Sequence, residues 1–541
     1  MLTADCHPIT VVPGLHRLFR EYCSSDAAVR PLYSSLPTDT DWAVRPDFLS
    51  DRPAHWPELI QFLAEQNSAP SPAAASALEA LRLGAGVFVT GQQVALFGGP
   101  LFTPLKAATA LARARQGTAC GSPHVAVFWL ATEDHDFAEI DHVVFPARRE
   151  LHRLVYETAP TEPRPVGGIV LDDSITPLLD EASELLGFSE AMDALAAAYQ
   201  PGRTFAQAFA EFYRRVFAAQ GLLVLDASSR AIHRMGAPVL RAAIERADEL
   251  HQALLDRNRE LEAAGYHAQV AVTPQSSLLF LIDDRTGARL ALKRHPPSAQ
   301  EPGGLWQAGR QSLSTADLVA ILDAEPERIS PSALLRPVFQ DFLLSTSAIV
   351  GGPAEIAYAA QSAVLYERIL GRITRYLPRF SATLIEPAIG ELLRRHGLPL
   401  ERVFQETPDS LAQLLAARSM PPEGKAKLAA TGTALDAELT SLVGWMRSVD
   451  AGLGQSAETA EGKIRYQMNR LRTLAANFQL QREAALGRHA EAISQALYPG
   501  SVLQERLHGA AFYFARYGFE LAEELTAQAA NPCPGHTALW L

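Results

Sequence analysis

The segment that most constrains the fold is residues 125–131, which are apolar at every position and continue directly into a run of polar residues. A strand with apolar side chains on both faces is typical of the centre of a parallel sheet covered by helices on both sides. Three further runs have the same form, at residues 86–90, 222–225 and 348–350, and each ends in glycine or a polar residue. Together they predict an open α/β sheet, in which ligands bind at the carboxyl ends of the strands.

The balance of charged residues limits the classes of partner that the chain is expected to bind. The 541 residues include 48 Lys and Arg and 60 Asp and Glu, a formal net charge of −12. A general nucleic-acid binder needs a basic face that displaces counterions from phosphates, so we expect no nucleic-acid partner. No apolar run approaches the ~20 residues that cross a bilayer as a helix, and the first residues lack the basic end and apolar stretch of a signal peptide. We therefore expect a cytoplasmic protein without a membrane partner.

The cysteines give no sign of a metal or redox motif. Cys6, Cys23, Cys120 and Cys533 lie far apart in the chain. They form neither a CxxC pair nor the spacing of a zinc site. We therefore expect reduced, unreactive side chains that behave as small apolar groups.

Two stretches interrupt the pattern of buried strands and are interpreted as insertions. One carries several prolines and then helices, and the other begins as a charged helix and continues with short strands at 269–272 and 278–282. The predicted organisation is a core at 1–144, a first insertion at 145–215, a core strand at 216–231, a second insertion at 232–325, the rest of the core at 326–384, a helical coiled coil at 385–498 and a tail at 499–541 that packs back on the core.

The last third of the chain changes to heptad-like spacing. Two apolar stripes are separated by Gly452, Gly454 and an acidic turn near Glu458. The first stripe is Leu428, Leu435, Leu439, Leu442 and Met446, and the second is Ile464, Met468, Leu471, Ala475 and Phe478. Such stripes predict two long helices folded into an antiparallel hairpin. Because each stripe is narrow, we expect a partner helix, either within the chain or, as we favour, in a second copy that completes a coiled-coil homodimer.

A glycine-bearing loop follows the first predicted strand. Its candidate binding residues are Thr90, Gly91, Gln92, Gln93, Gly98, Gly99 and Pro100, and Lys106 lies on the helix that follows. Glycines let a ligand approach the backbone, and a helix start offers free amides and a positive dipole end to an anion. The loop is neither a Walker A loop nor a dinucleotide fingerprint. A tight turn that only feeds a packed helix is the alternative.

A dense polar segment follows the central strand without a break. It contains Glu133, Asp134, His135 and Asp136. Carboxylates and an imidazole at one strand end could perform acid–base chemistry, or the carboxylates Glu133, Asp134 and Asp136 could hold Mg²⁺. The alternative is an acidic helix start that the helix dipole stabilises.

A second glycine–proline loop opens a later helix. After Gly352 and Pro353, the side chains of Glu355, Tyr358 and Gln361 follow at steps of three and share one face of that helix. Carboxylate, phenol and amide groups on one stripe predict the wall of a small-molecule cleft. A buried helix with satisfied polar groups is the alternative.

Several motifs together carry a resemblance to one family. They are residues 90–93 with Gly99, Pro100, Leu101 and Lys106; Phe128 and Trp129 with residues 133–137; residues 221–226, which end at Asp226; Arg336 and Pro337 with Gln340 and Asp341; residues 352–355 with Tyr358; and residues 503–506. In order and spacing they resemble the cysteine ligase of bacillithiol biosynthesis, the BshC family. The resemblance runs from about Tyr33 to the tail.

The resemblance implies a Rossmann-type core similar to that of class I aminoacyl-tRNA synthetases, two connecting-peptide insertions and a C-terminal coiled coil that makes a dimer. It implies a ligase that joins the carboxyl of L-cysteine to the amine of glucosaminyl-malate. By analogy with the mycothiol cysteine ligase, it implies that ATP or another nucleotide with Mg²⁺ activates cysteine.

A mechanism follows as a hypothesis. The glycine loops and Lys106 would hold phosphate charge. Glu133, Asp134 or Asp136 would place Mg²⁺ or deprotonate the amine, and His135 would carry the proton. Trp129 and Asp226, at two strand ends, complete the predicted binding residues.

Two other classes of function are open from the residues alone. The carboxylate cluster would also suit a metal-dependent hydrolase or phosphoesterase. The heptads would suit a non-catalytic coiled-coil scaffold, although a scaffold leaves the polar strand ends without a role.

Overall fold

The computed structural model describes residues 2–39, 52–147, 150–295, 304–531 and 533–541. These residues divide into two compact units. The first contains the described residues of 1–147, 151–383 and 505–538, and the second contains those of 148–150, 384–504 and 539–541.

The strands of the described residues are, in chain order, β1 (Thr3–His7), β2 (Gly86–Gln92), β3 (His124–Leu130), β4 (His142–Pro146), β5 (Leu151–Val155), β6 (Leu223–Asp226), β7 (Ser276–Ile282), β8 (Arg289–His295), β9 (Leu305–Ala308), β10 (Gln311–Leu313), β11 (Ile329–Pro331), β12 (Ala348–Gly351), β13 (Tyr376–Pro378), β14 (Ala382–Ile385) and β15 (His536–Trp540).

The helices are α1 (Arg17–Cys23), α2 (Trp56–Gln66), α3 (Pro72–Arg82), α4 (Phe102–Ala119), α5 (Ile175–Leu186), α6 (Glu190–Ala198), α7 (Phe205–Val216), α8 (Arg230–Glu245), α9 (Ala247–Ala263), α10 (Thr315–Ala324), α11 (Arg336–Leu344), α12 (Pro353–Leu370), α13 (Pro387–His396), α14 (Leu400–Val403), α15 (Pro408–Ser419), α16 (Pro422–Val449), α17 (Ala451–Arg482), α18 (Ala484–Leu497), α19 (Gln504–Leu507), α20 (Ala510–Tyr517) and α21 (Glu520–Ala529).

The centre of the first unit is a five-stranded sheet in the order β13-β12-β2-β3-β6. Every neighbouring pair in it is parallel. All four strands expected from the sequence are present, and the short β13 adds the fifth. In the register of the sheet Gly91 lies beside Trp129 and Leu130 lies beside Asp226, so the polar strand ends gather at one edge.

Strand β3 shows why the central segment is apolar on both faces. All seven of its residues are buried. Phe128 contacts Phe209 and Tyr213 of α7 on one side, whereas Trp129 contacts Phe339 of α11 on the other. Successive side chains of a strand point to opposite faces, so helices cover both faces of this sheet, as expected for a parallel sheet.

The two predicted insertions are rich in structure of their own. Between β3 and β6 lie the antiparallel hairpin of β4 with β5 and the helices α5 to α7. Between β6 and β12 lie α8 and α9, α10 and α11, and an antiparallel sheet in the order β10-β9-β8-β7-β11. The first unit also includes residues 505–538, where α21 contacts α4 through the Arg115–Glu523 ion pair at 2.6 Å.

One predicted strand of the second insertion is wrong. Residues 269–272 are not a strand; β7 begins only at Ser276. The side chain of Gln361 replaces a neighbouring strand, because its amide accepts from the N–H of Val270 at 2.9 Å and donates to the carbonyl of the same residue at 2.9 Å. The backbone groups that would pair in a sheet are thus already satisfied.

The expectation that every cysteine is reduced is also wrong. Cys6 of β1 and Cys533, which precedes β15, form a disulfide across a sequence separation of 527 residues, and β1 lies beside β15 in a three-stranded sheet with β14. Cys23 and Cys120 are free, and burial raises the pKa of the Cys23 thiol to about 12. Sequence spacing could not show the pair, because only the folded sheet brings its members together.

The second unit contains the predicted antiparallel helical hairpin. Helices α16 and α17 are joined at the single non-helical residue Asp450, whose carboxylate caps α17 by accepting from the N–H of Leu453 at 2.9 Å. The pairing of Asp436 with Arg465 at 3.0 Å shows the antiparallel register. The turn between the helices is therefore at Asp450 and not at Gly452 and Gly454, where the sequence predicted it. Gly454 instead allows close packing, since a Cβ there would lie 2.9 Å from the Cα of Arg447.

The buried seam of the hairpin differs from the predicted stripes. Leu439 and Met468 are buried as predicted, but small or neighbouring residues such as Gly432, Val443 and Ala476 complete the seam. Four residues of the predicted stripes are exposed within the described chain: Leu442, Ile464, Leu471 and Phe478. The predicted hairpin is present, but its buried seam does not follow the predicted stripes, and these four side chains are exposed.

Candidate active site

A cavity of about 620 Å³ opens at the carboxyl ends of the parallel strands, within the first unit. The loops after β2 and β3, the starts of α11 and α12, and residues 506–507 line it. The lining includes these predicted residues: Gly91, Gln92, Gln93, Pro100, Lys106, Trp129, Asp134, Gly352, Pro353, Glu355 and Tyr358. The position is the one where open α/β sheets bind ligands.

Lys106 fastens one wall of this cavity. It is 4% exposed, and its Nζ lies 2.5 Å from Oε2 of Glu355 and donates to the carbonyl of Gly91 at 2.9 Å and to Oε1 of Gln92 at 3.1 Å. Burial lowers the pKa of Lys106, although the attraction of Glu355 opposes that effect. All three ammonium donors therefore have protein partners, and Lys106 fixes the loop after β2 against α12.

Glu355 also closes the start of α12. Its Oε2 accepts from the N–H of Gly352 at 2.7 Å, so the carboxylate caps the helix that it begins. Pro353 at the first turn suits the same role, because its missing N–H would have no partner there. The chain's own carboxylate thus occupies part of the amide end of the helix whose face was predicted to line a cleft.

Two hydrogen bonds hold the carboxylate of Asp134, which also lines the cavity. Its Oδ2 accepts from Nε2 of Gln93 at 2.8 Å, and its Oδ1 accepts from the backbone N–H of His135 at 2.7 Å. Burial alone would raise the pKa of Asp134, but these hydrogen bonds and the nearby Arg336 and Arg289 outweigh it and hold the pKa below its ordinary value. Asp134 is therefore an ionised acceptor facing the cavity.

Arg336, the first residue of α11, is a lining cation that the predicted site residues did not include. No ion pair within 4.0 Å joins it to a carboxylate among the described residues, and its guanidinium interacts with the hydroxyl of Tyr358. Burial alone would lower the pKa of Arg336, but Tyr358, Asp134 and Glu355 raise it. Burial raises the pKa of Tyr358 to about 12. Arg336 and Tyr358 therefore both keep their protons at neutral pH.

A buried ion pair supports the wall near Arg506. Arg379, which follows β13, lies 2.5 Å from Glu505, and Glu505 also accepts from the N–H of Ala382 at 3.0 Å. Burial alone would raise the pKa of Glu505, but Arg379 outweighs it and lowers the pKa. The next residue, Arg506, is exposed, lines the cavity and has no carboxylate partner within the described ranges.

The predicted metal cluster of Glu133, Asp134 and Asp136 does not converge. Glu133 lies 2.8 Å from Nε2 of the buried His233. Burial alone would lower the pKa of His233, but the carboxylate of Glu133 outweighs burial, and the pKa is raised. Asp136 instead precedes the 3₁₀ turn at Phe137–Glu139. Among the described residues no group of three or more His, Cys, Asp or Glu side chains could hold a metal ion. The sequence prediction erred because adjacent residues alternate in direction as the chain leaves β3.

His135 is not among the residues that line the cavity. Its Nδ1 accepts from Arg289 of β8 at 2.9 Å, and its ring contacts Phe280 of β7. Arg289 is held in turn by the hydroxyl of Ser330 and the carbonyl of Pro331. In the neutral ring the proton therefore belongs on Nε2.

The remaining predicted residues have structural partners outside the cavity lining. Thr90 donates to the carbonyl of Val350 at 3.0 Å, Asp226 accepts from Thr132 at 2.6 Å, and Gln361 holds Val270 as described above. Gly98 donates to the hydroxyl of Tyr199 at 3.0 Å, and a Cβ on it would meet Phe212 at 2.5 Å. Gly99, with a φ of +69°, completes that turn.

Some lining residues were missed at the sequence level. Glu139 and His142 follow the acidic segment, and His142 begins β4 with its Nδ1 2.7 Å from Oδ1 of Asp141. The motif that contains Arg336 and Gln340 was recognised, but its members were not assigned to the site. Arg379 gave no signal because β13, which positions it, is only three residues long.

Comparison with known proteins agrees with this architecture. Residues 5–380 match the model of the N-terminal Rossmann-like domain of bacillithiol biosynthesis BshC, and residues 382–540 match that of its C-terminal coiled-coil domain. The chain belongs to the BshC family. The predicted fold class, a Rossmann-like parallel sheet followed by a coiled coil, is thereby confirmed.

Relatives of this BshC chain cover its whole length. A protein of Koribacter versatilis (strain Ellin345) is 42% identical over 99% of each chain. A protein of Solibacter usitatus (strain Ellin6076) is 36% identical over 91% of this chain and 90% of its own. A protein of Salinibacter ruber (strain DSM 13855 / M31) is 31% identical over 94% and 93%. Each bears the name "Putative cysteine ligase BshC".

Proposed function

We propose that this chain is a cysteine ligase that joins the carboxyl group of L-cysteine to the amine of glucosaminyl-malate by an amide bond, the last step of bacillithiol biosynthesis. Membership of the BshC family and the names of its relatives support the proposal. The hydrolase and scaffold alternatives have no such support. We propose that a ligase of this pathway works in the cytoplasm. Separately, no helix within the described ranges is long and apolar enough to cross a membrane.

The observation that carries the proposal is the polar cavity at the carboxyl ends of β2, β3 and β12. Its walls carry fixed anions and cations side by side, including Asp134, Glu355, Lys106 and Arg336. A reaction between a carboxylate and an amine begins with both groups charged, so a site for it must hold a negative and a positive substrate group close together. A cavity of about 620 Å³ is within the usual range for small-molecule sites.

Amide formation requires loss of a proton from the attacking ammonium. His142 is the lining group best arranged to accept it, because Asp141 Oδ1 lies 2.7 Å from its Nδ1 and leaves Nε2 for the substrate. A carboxylate that binds one ring nitrogen fixes both the tautomer and the ring orientation. Glu139 lies in the same lining and is the second acceptor available. This role replaces the one predicted for His135, whose Nδ1 is bound to Arg289.

The cysteine carboxylate also needs a better leaving group than oxide. A nucleoside triphosphate would supply that leaving group by transferring phosphate or nucleotide to the carboxylate. Arg506, exposed in the lining and without a carboxylate partner among the described residues, is suited to hold phosphate oxygens. Lys106 is not, because its donors are already used. The described side chains offer no three-ligand metal site, so we derive no step through protein-bound Mg²⁺.

We also propose that the hairpin of α16 and α17 makes a homodimer. Large apolar side chains are exposed on it among the described residues: Leu442, Trp445, Val449, Leu453, Ile464, Tyr466, Leu471, Leu474 and Phe478. Exposed apolar stripes of this length are typical of helices that pack against a partner helix.

The proposal is tested by incubating the purified chain with L-cysteine, glucosaminyl-malate and Mg²⁺ with each nucleoside triphosphate in turn, and by following the product by mass spectrometry. We expect the coupled thiol only when all substrates are present, with one AMP or one ADP formed per amide. Absence of the amide with every nucleotide, while both substrates remain intact, would overturn the proposal.

A further inference from the structure

The charged groups that line the cavity fall into two kinds. Lys106 pairs with Glu355 at 2.5 Å, and Arg379 pairs with Glu505 at 2.5 Å, so these cations are already neutralised. Asp134 and Arg336 also lie in the lining and affect each other electrostatically, yet no ion pair within 4.0 Å joins them. Asp134 and Arg336 are thus an anion and a cation that face the same cavity without an ion pair between them, and the exposed residues Glu139 and Arg506 lie in the same lining.

Asp134 is built to stay in place as an acceptor. Gln93 and the backbone of His135 each occupy one lone-pair direction, one on each carboxylate oxygen, and an ionised carboxylate offers about four. Its side chain is 29% exposed, so the remaining directions are open to the cavity. The two hydrogen bonds hold the carboxylate without neutralising its charge.

Arg336 is the matching donor. It lies at the first turn of α11, where Pro337 fixes the backbone, and Tyr358 of α12 stands beside its guanidinium. A guanidinium carries five N–H donors in a planar fork that fits a carboxylate. The carboxylate of Asp134 repels a multiply charged phosphate here, whereas Lys106 balances the charge of Glu355. A ligand with one negative and one positive group meets no net repulsion.

We propose that Asp134 and Arg336 form the subsite for the zwitterionic backbone of an α-amino acid, with Asp134 accepting from the ammonium group and Arg336 donating to one oxygen of the carboxylate. Tyr358 supports the guanidinium from α12. The identification of the amino acid as L-cysteine rests on the proposed function; the pairing of the two groups does not. The sequence patterns did not group Asp134 with Arg336.

Isothermal titration calorimetry with ligands that each lack one charge tests the subsite. The probes are L-cysteine, cysteamine without the carboxylate, and 3-mercaptopropionate without the ammonium, in anaerobic buffer with and without glucosaminyl-malate. Titration with 2-mercaptoethanol, which lacks both charges, corrects for thiol exchange with the Cys6–Cys533 disulfide. We expect wild-type protein to prefer cysteine to either analogue by about 10-fold or more, the range of a charge-assisted hydrogen bond.

The variants give a crossed result. Arg336→Met should abolish the preference for cysteine over cysteamine and keep the preference over 3-mercaptopropionate; Asp134→Asn should do the reverse. Because each result is a ratio within one variant, partial misfolding cannot imitate it. Arg310→Met and Asp173→Asn change exposed residues outside the lining and should keep both ratios.

Other outcomes contradict the subsite. It is overturned if wild-type protein does not bind cysteine either with or without glucosaminyl-malate. It is also overturned if both variants keep the preference for cysteine over each analogue, or if each variant loses both preferences equally. The outcome is separable from the proposed function. A crossed pattern in a protein that makes no amide keeps the subsite and removes the ligase, whereas amide formation without the crossed pattern keeps the ligase and removes the subsite.

Discussion

The cavity of the first unit and the hairpin of the second both leave groups without a partner, but of opposite kinds. In the cavity, Arg336 and Arg506 have no carboxylate partner within the described part of the chain, whereas nearby Lys106 and Arg379 do. In the hairpin the uncovered groups are apolar, with Trp445 and Phe478 each 61% exposed.

The difference shows what each region is missing. A buried or half-buried charge without a counter-charge is costly in a folded protein unless a ligand supplies one. An apolar stripe without cover is costly in water unless another apolar surface removes it from solvent. The proposed substrate would therefore supply the missing charge in the cavity, and the proposed second copy would supply apolar cover for the hairpin. Four predictions test this contrast, from the largest expected effect to the smallest.

The strongest test concerns the proton acceptor of the cavity. Replacing His142 by Asn should lower kcat for amide formation by about 10²–10⁴-fold, the usual contribution of a general base. KM for both substrates should change little, because His142 acts on the proton rather than on substrate charge. Steady-state kinetics measures the split. His267→Asn alters an exposed histidine outside the lining and serves as the control; a kcat of H142N within a factor of two of that control would remove His142 from the chemistry.

Breaking the Lys106–Glu355 ion pair should destabilise the fold. Lys106→Met leaves the Glu355 carboxylate without its cation, and loss of one partner of a buried pair costs about 3–5 kcal/mol. The double variant Lys106→Met with Glu355→Gln should recover a large part of that free energy of unfolding, since no charge is then left unpaired. Urea unfolding measures both. If the single variant is as stable as wild type, the pair does not fasten the wall.

The wall behind Arg379 should respond to pH. Burial lowers the pKa of His536 to about 4, against an opposing effect of Glu505, and its ring bonds Ser381 and Thr383 at 2.8 Å each. Between pH 6.5 and 4 the unfolded chain binds a proton that the folded chain does not, so the free energy of unfolding should fall as the pH falls through that window. The fall attributable to His536 is about 3 kcal/mol and stops growing below pH 4.

The measurement for His536 is the difference between wild type and a variant. Thermal unfolding of His536→Asn across the same pH range should show a shallower slope than wild type, because asparagine does not titrate. Parallel slopes in the two proteins would show that His536 titrates normally in the folded chain.

The smallest effect on stability, and a clear one on assembly, is expected for the hairpin. Leu471 and Leu474 lie on the uncovered side of α17, 56% and 55% exposed. Replacing both by Glu should leave the free energy of unfolding of the monomer within about 0.5 kcal/mol, but should shift the mass measured by light scattering from two chains to one. Met468→Glu, at the buried seam, should instead unfold the hairpin. A wild-type mass of one chain would show that the stripe is covered in another way.

The sequence was informative wherever local pattern decides structure. The strands β2, β3, β6 and β12 were recognisable because burial on both faces makes them apolar throughout, and the polar residues that follow them marked the cavity. Long-range pairing was not recognisable. Glu133 is adjacent to Asp134 in sequence, yet it turns to His233, a hundred residues away, whereas Asp134 turns to Gln93.

The same limit explains the other errors. Residues 269–272 form a short apolar run that resembles a strand, but the side chain of Gln361 binds the backbone N–H and carbonyl of Val270. The spacing of Leu442 and Ile464 fits a seam, but Gly432 and Gly454 bring the helices together along a neighbouring line and leave these side chains outside. In each case a contact between distant parts of the chain outweighs a correct local pattern.

The Cys6–Cys533 disulfide closes a covalent ring through the chain, since it joins residues 527 positions apart. A protease that cuts this ring once opens it without releasing a fragment, so a singly nicked molecule should migrate as one species on a denaturing gel until a reductant separates its two halves.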